Sequence, residues 1–195
     1  TRNSRRPIGP AEEAALMAPL DLAIKPGESL YIAGDSGLGK STLVRVLTGL
    51  ASPASGKISV AKSPRIMATP QDSYVPLGTL RDVLSYPVAD YTVSDTEIRA
   101  AMTAVGLGDL IGRVDELARW DQLLSGGERQ RIAIARLLVH RPDVVILDDA
   151  LSALEETAQT SVWRALRDGL NGATVISLGQ RTVKDGLYDR QLILT

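Results

Sequence analysis

Apolar residues recur along the chain with two different periods, and the alternation of the two predicts strands followed by helices. Leu20-Asp21-Leu22-Ala23-Ile24 alternates like a half-buried strand, and Lys25-Pro26-Gly27-Glu28 reads as the turn that ends it. Ser29–Ala33 is a second strand, after which Leu43, Val46, Leu47 and Leu50 return at helical spacing over residues 40–50. Short strands are expected at 57–61 and 65–68. Residues 79–117 carry mostly helical spacing, broken at Pro87 and around Gly106 and Gly108. A strong helix over 127–139 precedes the unbroken apolar run Val144-Val145-Ile146-Leu147, the pattern of a buried parallel strand. A helix over 155–170 and strands at 173–177 and 191–194 complete the series. Strands alternating with helices predict an α/β fold with a mostly parallel sheet. The helical middle reads as an inserted lobe.

Composition narrows this little. A length of 195 residues suits one domain with a sub-lobe, and 44% hydrophobic with 23% charged residues is ordinary for a globular chain. A net charge of -1 implies no broad basic field, so nucleic acid is not an expected partner. The absence of cysteine excludes disulfides and thiolate metal sites. No apolar run approaches the roughly 20 residues that cross a bilayer, so any membrane span must lie in another segment or chain. Residues 1–15 are polar, bear Pro and Gly, and read as a loose lead-in; Thr1 to Pro10 is basic but has no apolar stretch behind it to form a secretory signal.

The chemistry begins at Gly34-Asp35-Ser36-Gly37-Leu38-Gly39-Lys40-Ser41, which fits G-x-x-x-x-G-K-[ST] at every fixed position, with a strand before it and a helix after. Glycines there let successive backbone N–H groups turn inward onto phosphate oxygens, and the following helix adds its partial positive charge. Lys40 is expected to reach the β- and γ-phosphates, Ser41 to bind Mg²⁺ and Thr42 to bond the α-phosphate. Further on, the apolar strand 144–147 delivers Asp148-Asp149 to its C-terminal end. Asp148 is expected to hold Mg²⁺, through water, because that ion dehydrates reluctantly.

Leu124-Ser125-Gly126-Gly127-Glu128-Arg129-Gln130-Arg131 discriminates among phosphate-binding loops. Ser125 suits an N-cap, and Gly126 and Gly127 free the first N–H groups of a helix, a second anion site. The run resembles the signature of ATP-binding cassette proteins, and the chain is similar nearly throughout to the nucleotide-binding domain of an ABC transporter. Pro70-Gln71-Asp72-Ser73-Tyr74, Gly78-Thr79-Leu80-Arg81, Tyr86-Pro87 and Trp120 resemble the exporter-type branch of fatty-acyl and peptide half-transporters.

The resemblance implies a P-loop core lobe over 16–70 and 125–195 with an antiparallel β portion beside its mostly parallel sheet, a helical lobe over 71–124, ATP and Mg²⁺ as ligands, and ATPase activity coupled to transport. It assigns Gln71 to Mg²⁺ or the attacking water, Asp149 to polarising that water, Gln180 to the switch position, and Ser152-Ala153-Leu154-Glu155 to the loop that signals between domains. It also implies head-to-tail pairing, in which Ser125, Gly126, Gly127 and Glu128 close over the ATP of a second cassette, homo- or heterodimeric. A transmembrane domain would be fused upstream, placing the domain at the cytoplasmic face of a membrane.

Three positions depart from the family pattern. Asp149 stands where a Glu is usual, Gln180 where a His is usual, and Glu155 where an Asp is usual. Asp is one methylene shorter than Glu, and Gln cannot become cationic, so slow hydrolysis is expected. The single histidine, His140, is expected in an exposed turn before the strand at 144. No aromatic precedes Tyr31 to stack adenine, as one usually does in the family, so that residue either lies upstream, in a longer polypeptide, or is missing. Two alternatives stand beside the transporter: a soluble ABC ATPase, and a regulatory cassette that only binds nucleotide.

Overall fold

A computed structural model describes residues 20–60, 63–88, 93–184 and 186–194. The elements in order are β1 (Ser29–Ala33), α1 (Lys40–Leu47), β2 (Ile66–Thr69), α2 (Leu80–Ser85), α3 (Asp95–Ala104), a 3₁₀ turn (Gly108–Arg113), α4 (Trp120–Leu123), α5 (Gly126–His140), β3 (Val144–Asp148), α6 (Glu156–Gly169), β4 (Thr174–Gly179) and β5 (Arg190–Ile193). The strands form one sheet in the order β2-β3-β4-β1-β5. Every pairing is parallel.

The pleat sorts the strand side chains onto two faces. Leu30, Ile32, Ile146, Ile176 and Leu178 form one apolar face, covered by Leu43, Val44 and Leu47 of α1. Val145, Leu147 and Val175 point the other way, into a core shared with Ile132, Ile134, Leu137 and Val139 of α5 and with Val162, Trp163 and Leu166 of α6. That core continues into the helical insertion through Leu80, Val83, Leu84, Ile98, Met102 and Trp120. Helices α1 and α5 therefore lie on opposite faces of the sheet.

Local chemistry sets the helix ends. Thr79, Ser94 and Ser125 begin α2, α3 and α5, each with a capping box closed by Asp82, Glu97 and Glu128. Helix α1 stops at Leu47, short of the expected 50, because the Thr48 hydroxyl and N–H bond back to Val44 and Gly49 adopts φ 75°.

The expected antiparallel portion differs. Residues 20–24 carry no regular secondary structure and join no ladder, although Leu22 and Ile24 do pack against the face that α1 covers. Residues 57–60 are exposed throughout, with Ile58 and Val60 facing solvent. A period of two satisfies packing on one side, but a strand also needs a partner for its N–H and C=O groups. Among the described residues the one antiparallel pairing is an isolated bridge between Gly78 and Ala118. Residue 61 and the lead-in 1–15 lie outside the described residues. His140 is the last residue of α5 rather than a turn residue: its Nε2 lies 3.1 Å from the Tyr86 carbonyl oxygen, and burial lowers its pKa.

Candidate active site

Four adjacent strands end at one edge, and each end carries a residue singled out in the sequence. Strand β1 leads into residues 34–41, β3 ends in Asp148 with Asp149 behind it, β4 leads to Gln180, and β2 leads through Pro70 to Gln71. The crevice beyond the carboxyl ends of parallel strands is the usual place for a ligand in an open α/β sheet.

The loop is bound to the sheet at its start, where the Gly34 N–H donates to the Gly179 carbonyl at 3.1 Å. Gly37 and Gly39 have φ of 91° and 83°, a left-handed backbone that wraps the loop onto the first turn of α1. Gly39 is the N-cap and carries no side chain to fill the space in front of the free N–H groups. Lys40 is buried to 7% exposure, and its ammonium is held by the carbonyls of Gly34 and Asp35, the latter at 2.8 Å. Asp35, Ser36, Ser41 and Thr42 are exposed and Leu38 is half-buried. The loop thus presents a buried cation and unbonded first-turn N–H groups, a donor set that suits a polyphosphate. The Ser41 hydroxyl donates to Asp148 Oδ2 at 3.2 Å, joining the two groups whose oxygens suit Mg²⁺.

Asp149 is held in a left-handed conformation, φ 49°, with its N–H donating to the Leu178 carbonyl at 2.9 Å. Burial pushes its carboxyl above the usual carboxylate range, and Asp148 adds to this, while Lys40 and a side-chain hydrogen bond from Gln180 pull it back. Asp149 and Gln180 follow neighbouring strand ends, where Asp148 stands opposite Leu178. Gln71 is exposed in the loop leaving β2.

The signature start is exposed at Ser125 and Gly126. The Ser125 hydroxyl donates to Glu128 at 2.7 Å and accepts from the Glu128 N–H at 3.3 Å. A Cβ on Gly127 would lie 3.3 Å from Leu154 and 3.6 Å from the Ala153 carbonyl, so the glycine lets the helix start close onto the turn at 152–155. Buried Gln130 completes that joint, accepting from the Ala153 N–H at 2.9 Å. The structure does not bring residues 125–128 to the loop at 34–41, because α5 and α1 cover opposite sheet faces.

The profile of the ABC transporter family matches residues 17–152. The chain belongs to that family. Its relatives include an ABC transporter ATP-binding protein of Haemophilus influenzae, 37% identical over 92% of this chain and 30% of its own length. ATP-binding cassette sub-family D member 1 of Drosophila melanogaster is 34% identical over 83% of this chain and 23% of its own length. The human lysosomal cobalamin transporter ABCD4 is 33% identical over 88% of this chain and 30% of its own length. The exporter-type resemblance thus holds, and the chain spans less than a third of the length of each of these three relatives. As an ABC ATP-binding domain it is an ATPase domain, and ATP is its nucleotide. Among the described residues no helix is long and apolar enough to cross a membrane.

Sequence reasoning gave no role of their own to Tyr31, Gln130 and Arg136. Tyr31 donates to the Arg181 carbonyl beside Gln180 at 2.8 Å. Arg136 donates to the carbonyls of Val83 and Tyr74 at 2.9 and 3.1 Å. The available signal was polarity out of place: an arginine inside an apolar helical run and a phenol inside a buried strand.

Proposed function

We propose that this chain is the ATP-driven domain of a membrane transporter, working head to tail with a second cassette and joined to a transmembrane domain at the cytoplasmic face of a membrane. Residues 34–42 hold the phosphates: Lys40 neutralises the β- and γ-phosphate charge, and the N–H groups of the loop and of the first turn of α1 take the oxygens. Ser41, Asp148 and Gln71 would hold Mg²⁺, which would offset the negative charge of the bound phosphates. Asp149 takes the proton of the attacking water, and Gln180 donates to the γ-phosphate. Ser125, Gly126, Gly127 and Glu128 serve the ATP of the partner cassette.

One observation carries the reading. The phosphate loop and the signature both present helix starts suited to anions, yet they sit on opposite faces of one sheet. A site that uses both needs two copies.

The chain's own residues also support slow turnover. Asp149 has a shorter reach than Glu, which leaves its carboxylate further from the water it would act on. A base must come within about 2.6–3.2 Å of the proton it takes, or act through one water.

The test compares nucleotide binding with turnover as protein concentration rises. Binding of Mg·ATP should saturate independently of protein concentration, and Lys40→Ala should abolish it. Turnover per chain should increase with concentration as pairs form. Turnover per chain that is constant down to the lowest concentration at which the chain is monomeric would sink the shared-site reading.

A further inference from the structure

The motif order gives no role to Tyr31, yet its hydroxyl lies at the centre of the strand ends. Tyr31 sits mid-strand in β1, on the face opposite Leu30 and Ile32, and shares a row with Ser177 of β4. Its Oη donates to the carbonyl of Arg181, the residue after Gln180, at 2.8 Å. A Cβ placed on Gly179 would fall 1.9 Å from that hydroxyl and 3.4 Å from Asp149 Oδ1. The phenol, the end of β4 and the Asp149 carboxylate therefore converge, with glycine required where they meet.

The ring has little freedom to leave. Tyr188 packs on it with centroids 5.1 Å apart, and Trp163 packs on Tyr188 at 4.0 Å. The Tyr188 hydroxyl is bonded to Ser177 Oγ at 3.0 Å, which fixes the middle ring. From the other side, the Asp149 N–H donates to the Leu178 carbonyl at 2.9 Å. Residues 178–181 are thus clamped at both ends, by an amide at Leu178 and by a phenol at Arg181.

We propose that Tyr31 is a positioning residue for ATP hydrolysis, its hydroxyl fixing the backbone at Arg181 and so holding the Gln180 amide against Asp149. This rests on the reading of Asp149 and Gln180 as groups that act on the attacking water and the γ-phosphate. Tyr31 touches neither reactant, and acts through the segment it anchors.

Tyr31→Phe removes the hydroxyl and keeps the packed ring. In the full-length protein it should lower kcat for ATP about 3–10-fold, the worth of one hydrogen bond, and change KM less than about twofold. In a Gln180→Ala background the same substitution should have no further effect on kcat, because the group it positions is gone. Amide exchange of residues 179–182 should speed up several-fold, while residues 34–41 keep their protection. An unchanged kcat, a KM that shifts in step with kcat, or a full additional loss in the Gln180→Ala background would each overturn the proposal. Where turnover is below detection, the exchange measurement decides, and unchanged protection of 179–182 overturns it. A wild-type protein that fails to bind Mg·ATP overturns the nucleotide reading as well, an outcome that Tyr31→Phe cannot mimic.

Discussion

Arg136→Met should destabilise the domain by about 2–4 kcal/mol, a figure that follows from what the guanidinium touches. Arg136 is 9% exposed, reaches the Val83 and Tyr74 carbonyls at 2.9 and 3.1 Å, and stands 5.3 Å from the Tyr86 ring centroid. Burial pushes its pKa down from 12.5 to about 10, so it remains charged at neutral pH. That shift corresponds to roughly 3 kcal/mol against keeping the charge inside. Two hydrogen bonds from a cation return about 1.5–3 kcal/mol each, so the two sides largely offset one another. The carbonyls left behind decide the outcome. Val83 is among the last four residues of α2, whose carbonyl has no partner within the helix. Each buried acceptor stripped of its donor costs about 1–3 kcal/mol, while Met fills the space of the arginine stem.

In a domain of this size, that loss lowers Tm by about 5–15 °C. Urea unfolding followed by the fluorescence of Trp120 and Trp163 measures it directly. Arg136→Lys should fall between wild type and Met, because one ammonium cannot span two carbonyls as a planar fork does. The loss should be equal at pH 7 and pH 8.5. With the folded pKa below the unfolded value, the folded chain binds fewer protons only above about pH 10. A Met variant within about 0.5 kcal/mol of wild type would refute the reasoning, since that is the scatter of substitutions away from such features.

Two further predictions concern the carboxylate beside the loop. The double change Asp149→Glu with Gln180→His should raise steady-state ATPase by about tenfold or more, as expected of a better-placed base and a donor that can become cationic; no gain would show that these residues do not limit the rate. Asp149→Asn should raise the Tm of the nucleotide-free protein at pH 7–8. The raised folded pKa means that the unfolded chain ionises first as pH rises, so the charged carboxylate opposes folding above the ordinary carboxylate range. The gain should fade in thermal scans carried below the pH at which the folded carboxyl takes its proton, and a gain that persists there would contradict the assigned cause.

The loop at 34–41 and the start of α5 were legible in the sequence because their chemistry is local. Glycines at set spacing before a helix dictate a backbone that exposes N–H groups, whatever surrounds them. The buried run at 144–147 was legible for a similar reason, since a strand covered on both faces has no room for polar residues. The strands expected at 20–24 and 57–61 were not decided locally, because alternation fixes a face but not a partner. The roles of Tyr31, Gln130 and Arg136 are tertiary. Each meets carbonyls or amides far along the chain, such as Arg181 from Tyr31 or Tyr74 from Arg136, and no spacing rule links those positions. His140 misled for the same reason: the Tyr86 carbonyl that it faces comes from α2's end, brought close only by packing of α2 on α5.

The placement of α1 and α5 on opposite sheet faces has a genetic consequence. In a pair of identical copies related by a two-fold axis, each site draws its loop from one chain and its signature from the other. A copy broken at Lys40 and a copy broken at Ser125 therefore fail in complementary ways. Mixed in equal amounts, half of the pairs would join one of each, and each such pair would carry one doubly broken site and one intact site. About a quarter of the normal number of working sites would reappear from two inactive parents.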